Sequence, residues 1–273
     1  MGIRLTSRRV LTAYAAWMAL LVVAHYTLAG QRTVTASLIE VSGVAAMVAG
    51  MYLNRPARRT PWLLLAAANL TGTVGDVASH VFVTATHAPL PFPSFADIIY
   101  LAAYPLYVAG LAVFIRSRST GPDARSMIDA LVLLVGLIVL SWVFLIMPDA
   151  TSASLTLSQR IVSMAYPIGD LFVLVTLARL LTPGTARGPS TVLFAFGTVC
   201  GVASDVAYDL LQNSGHGADA LLSLGYLASA IAWGAAALHP SMVELTKTVR
   251  QRVPDAAPGS VLVLMLASLI PPA

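Results

Sequence analysis

Asp76, Asp97, Asp170, Asp205, Asp209 and Asp219 all stand within runs of apolar residues, where a carboxylate is costly and needs a partner. Asp97 is followed at helical spacing by Tyr100 and Tyr104, and Pro105 then interrupts the backbone ladder. Gly72, Asp76 and His80 lie a turn apart on one helical face, as do Gly201, Asp205 and Asp209. An aspartate and a histidine at this spacing could ligate Zn²⁺ or a similar ion, or could simply hydrogen-bond to hold two helices together. Asp205 and Asp209 could bind a cation, or one of them could carry a proton. Tyr100, Tyr104, Tyr166, Tyr208 and Tyr226 could line a site for an organic cation or a flat ligand. For Tyr100 and Tyr208 an interfacial aromatic belt is the alternative. Gly72 and Gly201 suit close helix approach, and Pro105 and Pro167, each after a tyrosine, should kink their helices. The residues expected to form a ligand site are Asp76, His80, Asp97, Tyr104, Asp170, Asp205 and Tyr226. No phosphate-binding loop, HExxH or GxSxG motif accompanies them, so no catalytic residue, metal set or cofactor is assigned.

The elements that hold these residues follow from composition. The chain has 273 residues, 58% hydrophobic and only 10% charged, with a mean hydropathy of +0.80. A soluble domain carries about 25% charged residues, so an all-α, polytopic membrane bundle is expected. Apolar segments near 10–29, 34–53, 61–83, 95–115, 127–147, 161–181, 191–211 and 218–238 are each long enough to cross a bilayer. Of the 16 basic residues only Arg32 and Arg160 fall outside if the N-terminus is cytoplasmic, a strong positive-inside bias. That bias accounts for the net charge of +4 without nucleic acid. It also favours a retained first helix over a cleaved signal peptide, in the plasma membrane. Cys200 sits in an apolar run and reads as a small buried hydrophobe. The bundle is expected over 1–240, followed by a basic linker over 241–260. The run VLVLMLASLI at 261–270 is too short to span, and 261–273 reads as the start of a cut-off ninth helix.

The chain also reads as duplicated. Asp219 and Tyr226 repeat the spacing of Asp97 and Tyr104, and GVASD at 201–205 repeats GTVGD at 72–76. Helices 3 and 4 would then match helices 7 and 8 in a parallel repeat; no match is evident between helices 1–2 and 5–6. With the N-terminus inside, Glu40, Asp76, His80, Asp97, Asp205, Asp209 and Asp219 all fall in the outer half, with Asp170 near the midplane. The expected result is an acid- and tyrosine-lined pocket open outward and closed to the cytoplasm.

Several segments resemble the multi-pass membrane region that precedes GGDEF and EAL domains in actinobacterial cyclic-di-GMP signalling proteins. They are PSFADIIYLAAYPLYVAGL at 93–111, LSWVFLIMP at 140–148, SMAYPIGDLFVLVTLARLL at 163–181, SDVAYDLLQ at 204–212 and ALHPSM at 237–242. The resemblance implies a sensory input module for a small ligand, ion or lipid headgroup, with a cytoplasmic signalling partner or output domain. Since GGDEF and EAL sequences are absent, it implies no cyclase or phosphodiesterase activity. A secondary transporter would share the repeats and broken helices. An intramembrane hydrolase of lysoplasmalogenase type would share the pairs Gly75-Asp76 and Gly169-Asp170.

Overall fold

The computed structural model describes residues 2–118, 132, 135, 136, 138–181, 188–212 and 219–247, and among these there are helices and no strands. In chain order they are α1 (Gly2–Thr27), α2 (Arg32–Asn54), α3 (Thr60–Thr86), α4 (Phe95–Arg118), α5 (Met147–Thr151, continuing a π-helical turn at Trp142–Ile146), α6 (Leu157–Leu180), α7 (Pro189–Gln212) and α8 (Asp219–Leu238), with a 3₁₀ helix at Pro240–Thr246. Among the described residues, five helices are long and apolar enough to cross a membrane: α1, α2, α4, α6 and α7. In α3 the residues Asn69, Asp76 and His80 dilute the apolar run. Outward faces carry exposed Leu20, Leu38, Tyr52, Ile98, Phe172 and Phe196, the apolar coat a bilayer solvates. The chain is a multi-pass membrane protein by these features. Part of the fifth apolar segment, and the run at 261–270, lie outside the described residues.

Six helices close into a ring in the order α2–α3–α4–α6–α7–α8 and back to α2, with α1 packed outside against α2 and α8. The residue pairs in contact give the directions. Gly110 meets Leu65 and Gly75 meets Tyr100, so α3 and α4 are antiparallel; Gly197 meets Trp233 and Gly201 meets Ser229, so α7 and α8 are too. Gly43 meets Ala230 and Gly50 meets Ala237, so α2 and α8 run parallel. Asp97 pairs with Tyr166 and Asp170 with Tyr104, so α4 and α6 also run parallel.

One half of the ring is filled with large apolar side chains. Trp62, Phe114 and Phe194 are fully buried and meet edge to face, with ring centroids 5.2 to 6.3 Å apart. Trp233 stacks on Phe194 at 5.4 Å, and Tyr107 joins Trp233 at 5.0 Å, so α4 touches α8 across the ring. Such aromatic pairs contribute about 0.5–1.5 kcal/mol each beyond the area they bury. The 3₁₀ helix closes this end, because the apolar members of its SMVEL run have the core to fill. Met242 and Leu245 are fully buried, and the Ser241 hydroxyl accepts from the Ser190 backbone N–H at the start of α7. The bundle's packing therefore reaches Thr246, past residue 241 where the linker was expected to begin.

The α2–α8 seam sets backbone directly against backbone. In hydrocarbon there is no hydrophobic drive between helices, so close backbone approach supplies the attraction. A Cβ on Gly43 would lie 2.8 Å from the Ala230 carbonyl oxygen, and one on Gly50 would overlap that of Ala237. The Asn54 side-chain amide donates to the Ala237 and Leu238 carbonyls at 3.1 Å each, satisfying the C-terminal end of α8. Gly72, by contrast, has nothing within 4 Å of its would-be Cβ, so the expected close approach falls at Gly75 instead. Gly50→Ala should lower stability by about 1–3 kcal/mol through overpacking. Gly72→Ala should leave it unchanged or slightly raised, since alanine favours helix. Thermal unfolding of the detergent-solubilised protein compares the two.

Candidate functional site

Four tyrosines each donate a hydrogen bond to an aspartate on another helix, and all four bonds lie in the half of the ring opposite the aromatic filling. Tyr100 on α4 donates to Asp76 on α3 at 2.7 Å. Tyr104, one turn deeper on α4, donates to Asp170 on α6 at 3.0 Å. Tyr166 on α6 donates back to Asp97 on α4 at 2.8 Å. Tyr226 on α8 donates to Asp205 on α7 at 2.8 Å. From Asp97 to Tyr104 is roughly 10 Å of helix at 1.5 Å per residue, which sets the depth of this layer.

Local sequence explains why each acid is where it is. Ser94 opens α4, its hydroxyl accepting from the Ala96 N–H, and Asp97 reaches back to accept from the Ser94 N–H at 2.7 Å and hydroxyl at 3.0 Å. That is a capping box with aspartate in the glutamate position. Thr156 and Gln159 form the same device at the start of α6, where the Gln159 amide donates to the Phe92 carbonyl. The two helix starts are thereby joined. Glycine makes room for the phenols. A Cβ on Gly75 would lie 2.5 Å from the Tyr100 ring, and one on Gly169 would lie 2.5 Å from the Tyr104 ring. In each Gly-Asp pair the ring lies over the glycine and its hydroxyl reaches the next residue.

Two carboxyl pairs extend the chain of contacts. Glu40 on α2 lies close to Asp76 and Thr73 of α3, with one of its carboxyl oxygens buried and without a hydrogen-bond partner. Asp170 likewise lies close to Asp205. Hydrogen bonds therefore join α3 to α4, α4 to α6 and α7 to α8, and neighbouring carboxyls face each other between α2 and α3 and between α6 and α7. Asp170 is buried at 5% exposure, while Asp76 is the open end of the series.

Six of the seven expected site residues belong to this layer: Asp76, Asp97, Tyr104, Asp170, Asp205 and Tyr226. His80 does not. It lies exposed a turn beyond Asp76, whose carboxyl accepts from Tyr100, and the expected Asp76–His80 bond is not made. No group of three or more potential metal ligands occurs among the described residues. Tyr100 is bonded inward rather than serving in a belt, while Tyr208 is 47% exposed. Cys200 is half-buried. The Asp219 side chain lies outside the described residues. The sequence reading named Tyr100 and Tyr166 as possible lining residues and Glu40 among the outer-half acids, but left all three out of the expected ligand site. A signal for Glu40 was present: it stands to Asp76 in α2 and α3 much as Asp170 stands to Asp205 in α6 and α7.

No family model, no curated protein and no solved structure matches the chain. A bond between buried groups on different helices should show as coupling. In a cycle of Tyr226→Phe and Asp205→Asn, thermal unfolding should give a coupling energy of about 0.6–1.7 kcal/mol.

Proposed function

We propose that this chain is a membrane-embedded input module that takes a small ligand, ion or lipid headgroup at the tyrosine–carboxyl layer. The observation that carries the proposal is the division of the ring. Groups able to recognise a ligand are gathered in one half, and the other half is filled by Trp62, Phe114, Phe194 and Trp233 and capped by Met242 and Leu245. Such a site is served from one side only, as a receptor's is. The charge bias makes that side the outside of the plasma membrane and keeps the N-terminus cytoplasmic. A transporter would need a path through the aromatic half. A hydrolase resting on Asp76 and Asp170 together would need both at one substrate, whereas Asp76 is engaged by α2 and α4, and Asp170 by α4 and α7.

In this reading a ligand competes with the phenols for Asp97 and Asp205, shifts α4 and α6, and is felt by the 3₁₀ helix and the basic residues beyond it. A cytoplasmic partner or a cyclic-di-GMP output domain would receive the signal. The full count of eight spans, a shortened ninth and the parallel repeat belong to the same proposal. Supporting the repeat, each helix of the first half has its counterpart three places round the ring: α2 and α6, α3 and α7, α4 and α8.

The test is a binding screen on the purified protein with inorganic cations, organic amines and soluble lipid headgroups. Ligand found in this way should bind at least tenfold more weakly to Asp97→Asn or Asp205→Asn. Wild-type binding in both variants rejects the layer as the site, and ion-coupled uptake into proteoliposomes would replace the receptor with a transporter.

A further inference from the structure

We infer that the ring is built to open at one seam, between α4 and α6, with the α2–α8 seam opposite it serving as the fixed joint. The two seams lie across the ring from each other and both join parallel helices, yet they are closed by different means. At α2–α8 the contact is backbone to backbone: Gly43 and Gly50 sit against the carbonyls of Ala230 and Ala237, and Asn54 staples the end of α8. Side chains such as Ile39, Leu227 and Leu238 pack beside it, but turning a side chain does not part backbones already in contact.

At α4–α6 the closure is made by side chains reaching in both directions. Tyr104 of α4 holds Asp170 of α6, and Tyr166 of α6 holds Asp97 of α4, with the two phenol rings edge to face at 6.4 Å. Each of these tyrosines is followed by a proline inside its helix, Pro105 and Pro167, where one backbone hydrogen bond is missing and bending costs least. The brace thus lies next to the bending points of both helices. The joints α3–α4 and α7–α8 carry a tyrosine bond too, but there glycines pack against the partner helix over several turns, as at Gly75 and Gly110 or Gly197 and Gly225. Only α4–α6 combines side-chain closure with proline in both partners among the described residues.

The inference goes beyond the input-module reading, since a parting seam would serve a receptor, a transporter or an enzyme, and its test needs no ligand. In a Cys200→Ser background, spin labels are placed at two exposed pairs of positions. One pair, Ile98 and Ile161, spans α4 and α6; the other, Leu38 and Leu224, spans α2 and α8. Each pair is measured with the brace intact and in the double variant Tyr104→Phe/Tyr166→Phe. The α4–α6 distance should lengthen or broaden by on the order of 1–2 Å or more, the scale of helix shifts in switching proteins, while the α2–α8 distance holds. Backbone amide exchange in the first half of α4 and of α6 should rise roughly five- to tenfold, without change in α2. Equal broadening of both pairs, or no change in either, overturns the inference. The single variant Tyr226→Phe provides the control for general loosening, and it should leave the α4–α6 distance as it is.

Discussion

A carboxyl group inside a hydrocarbon layer has no water to turn to, so another helix must supply its partner. Three of the six joints in this ring, α3–α4, α4–α6 and α7–α8, answer that requirement with a hydrogen bond. Asp76, Asp97, Asp170 and Asp205 each take a phenol hydroxyl from a neighbouring helix, and Asp76, Asp170 and Asp205 each have a second carboxyl close by. Tyrosine suits the task because its ring belongs with the apolar surroundings while its hydroxyl donates. Remove the acids, and α4 and α6 would be left with shape alone to hold them together.

The polar layer depends in turn on the aromatic half. Bonds of this kind contribute modestly in membranes, since an unpaired helix finds other partners. Trp62, Phe114, Phe194 and Trp233 set the spacing of α3, α4, α7 and α8 at one end, so that the phenols meet their aspartates at the other. The glycines decide how closely each pair of helices approaches. The acids could not be moved a turn without losing a tyrosine, and the tyrosines could not be accommodated without Gly75 and Gly169 beneath them.

Much of this was legible in the sequence, for definite reasons. Apolar runs of spanning length announce helices, and an aspartate within one announces a partner. The i, i+4 spacing placed Tyr100 and Tyr104 on one face, and the depth ordering put Asp170 below the rest, where it meets the deeper tyrosine. Pairing was not legible. Tyr104 serves Asp170 rather than Asp97, and Asp76 bonds Tyr100 rather than His80, because partners are chosen by which helices adjoin in the ring, which periodicity does not encode. The capping box at Ser94–Asp97 was written in the sequence but hidden by the expectation that Asp97 faced a ligand. Gly72 and Gly75 show the same limit: both are glycines of one helix, and only the position of α4 tells them apart.

The contact of α2 with α8 bears on how the bundle is made. Membrane helices leave the ribosome and enter the bilayer in order, so α3 and α4 can pair as soon as they emerge. The glycine face of α2 cannot: its partner carbonyls, Ala230 and Ala237, are synthesised only when nearly all the ring has been laid down. Until then Gly43 and Gly50 present bare backbone to lipid, and a ring that closes on its own second helix remains an open arc through most of its synthesis. The last step of assembly is thus the meeting of an early helix with a late one, and it is also the step that no later rearrangement of side chains can undo.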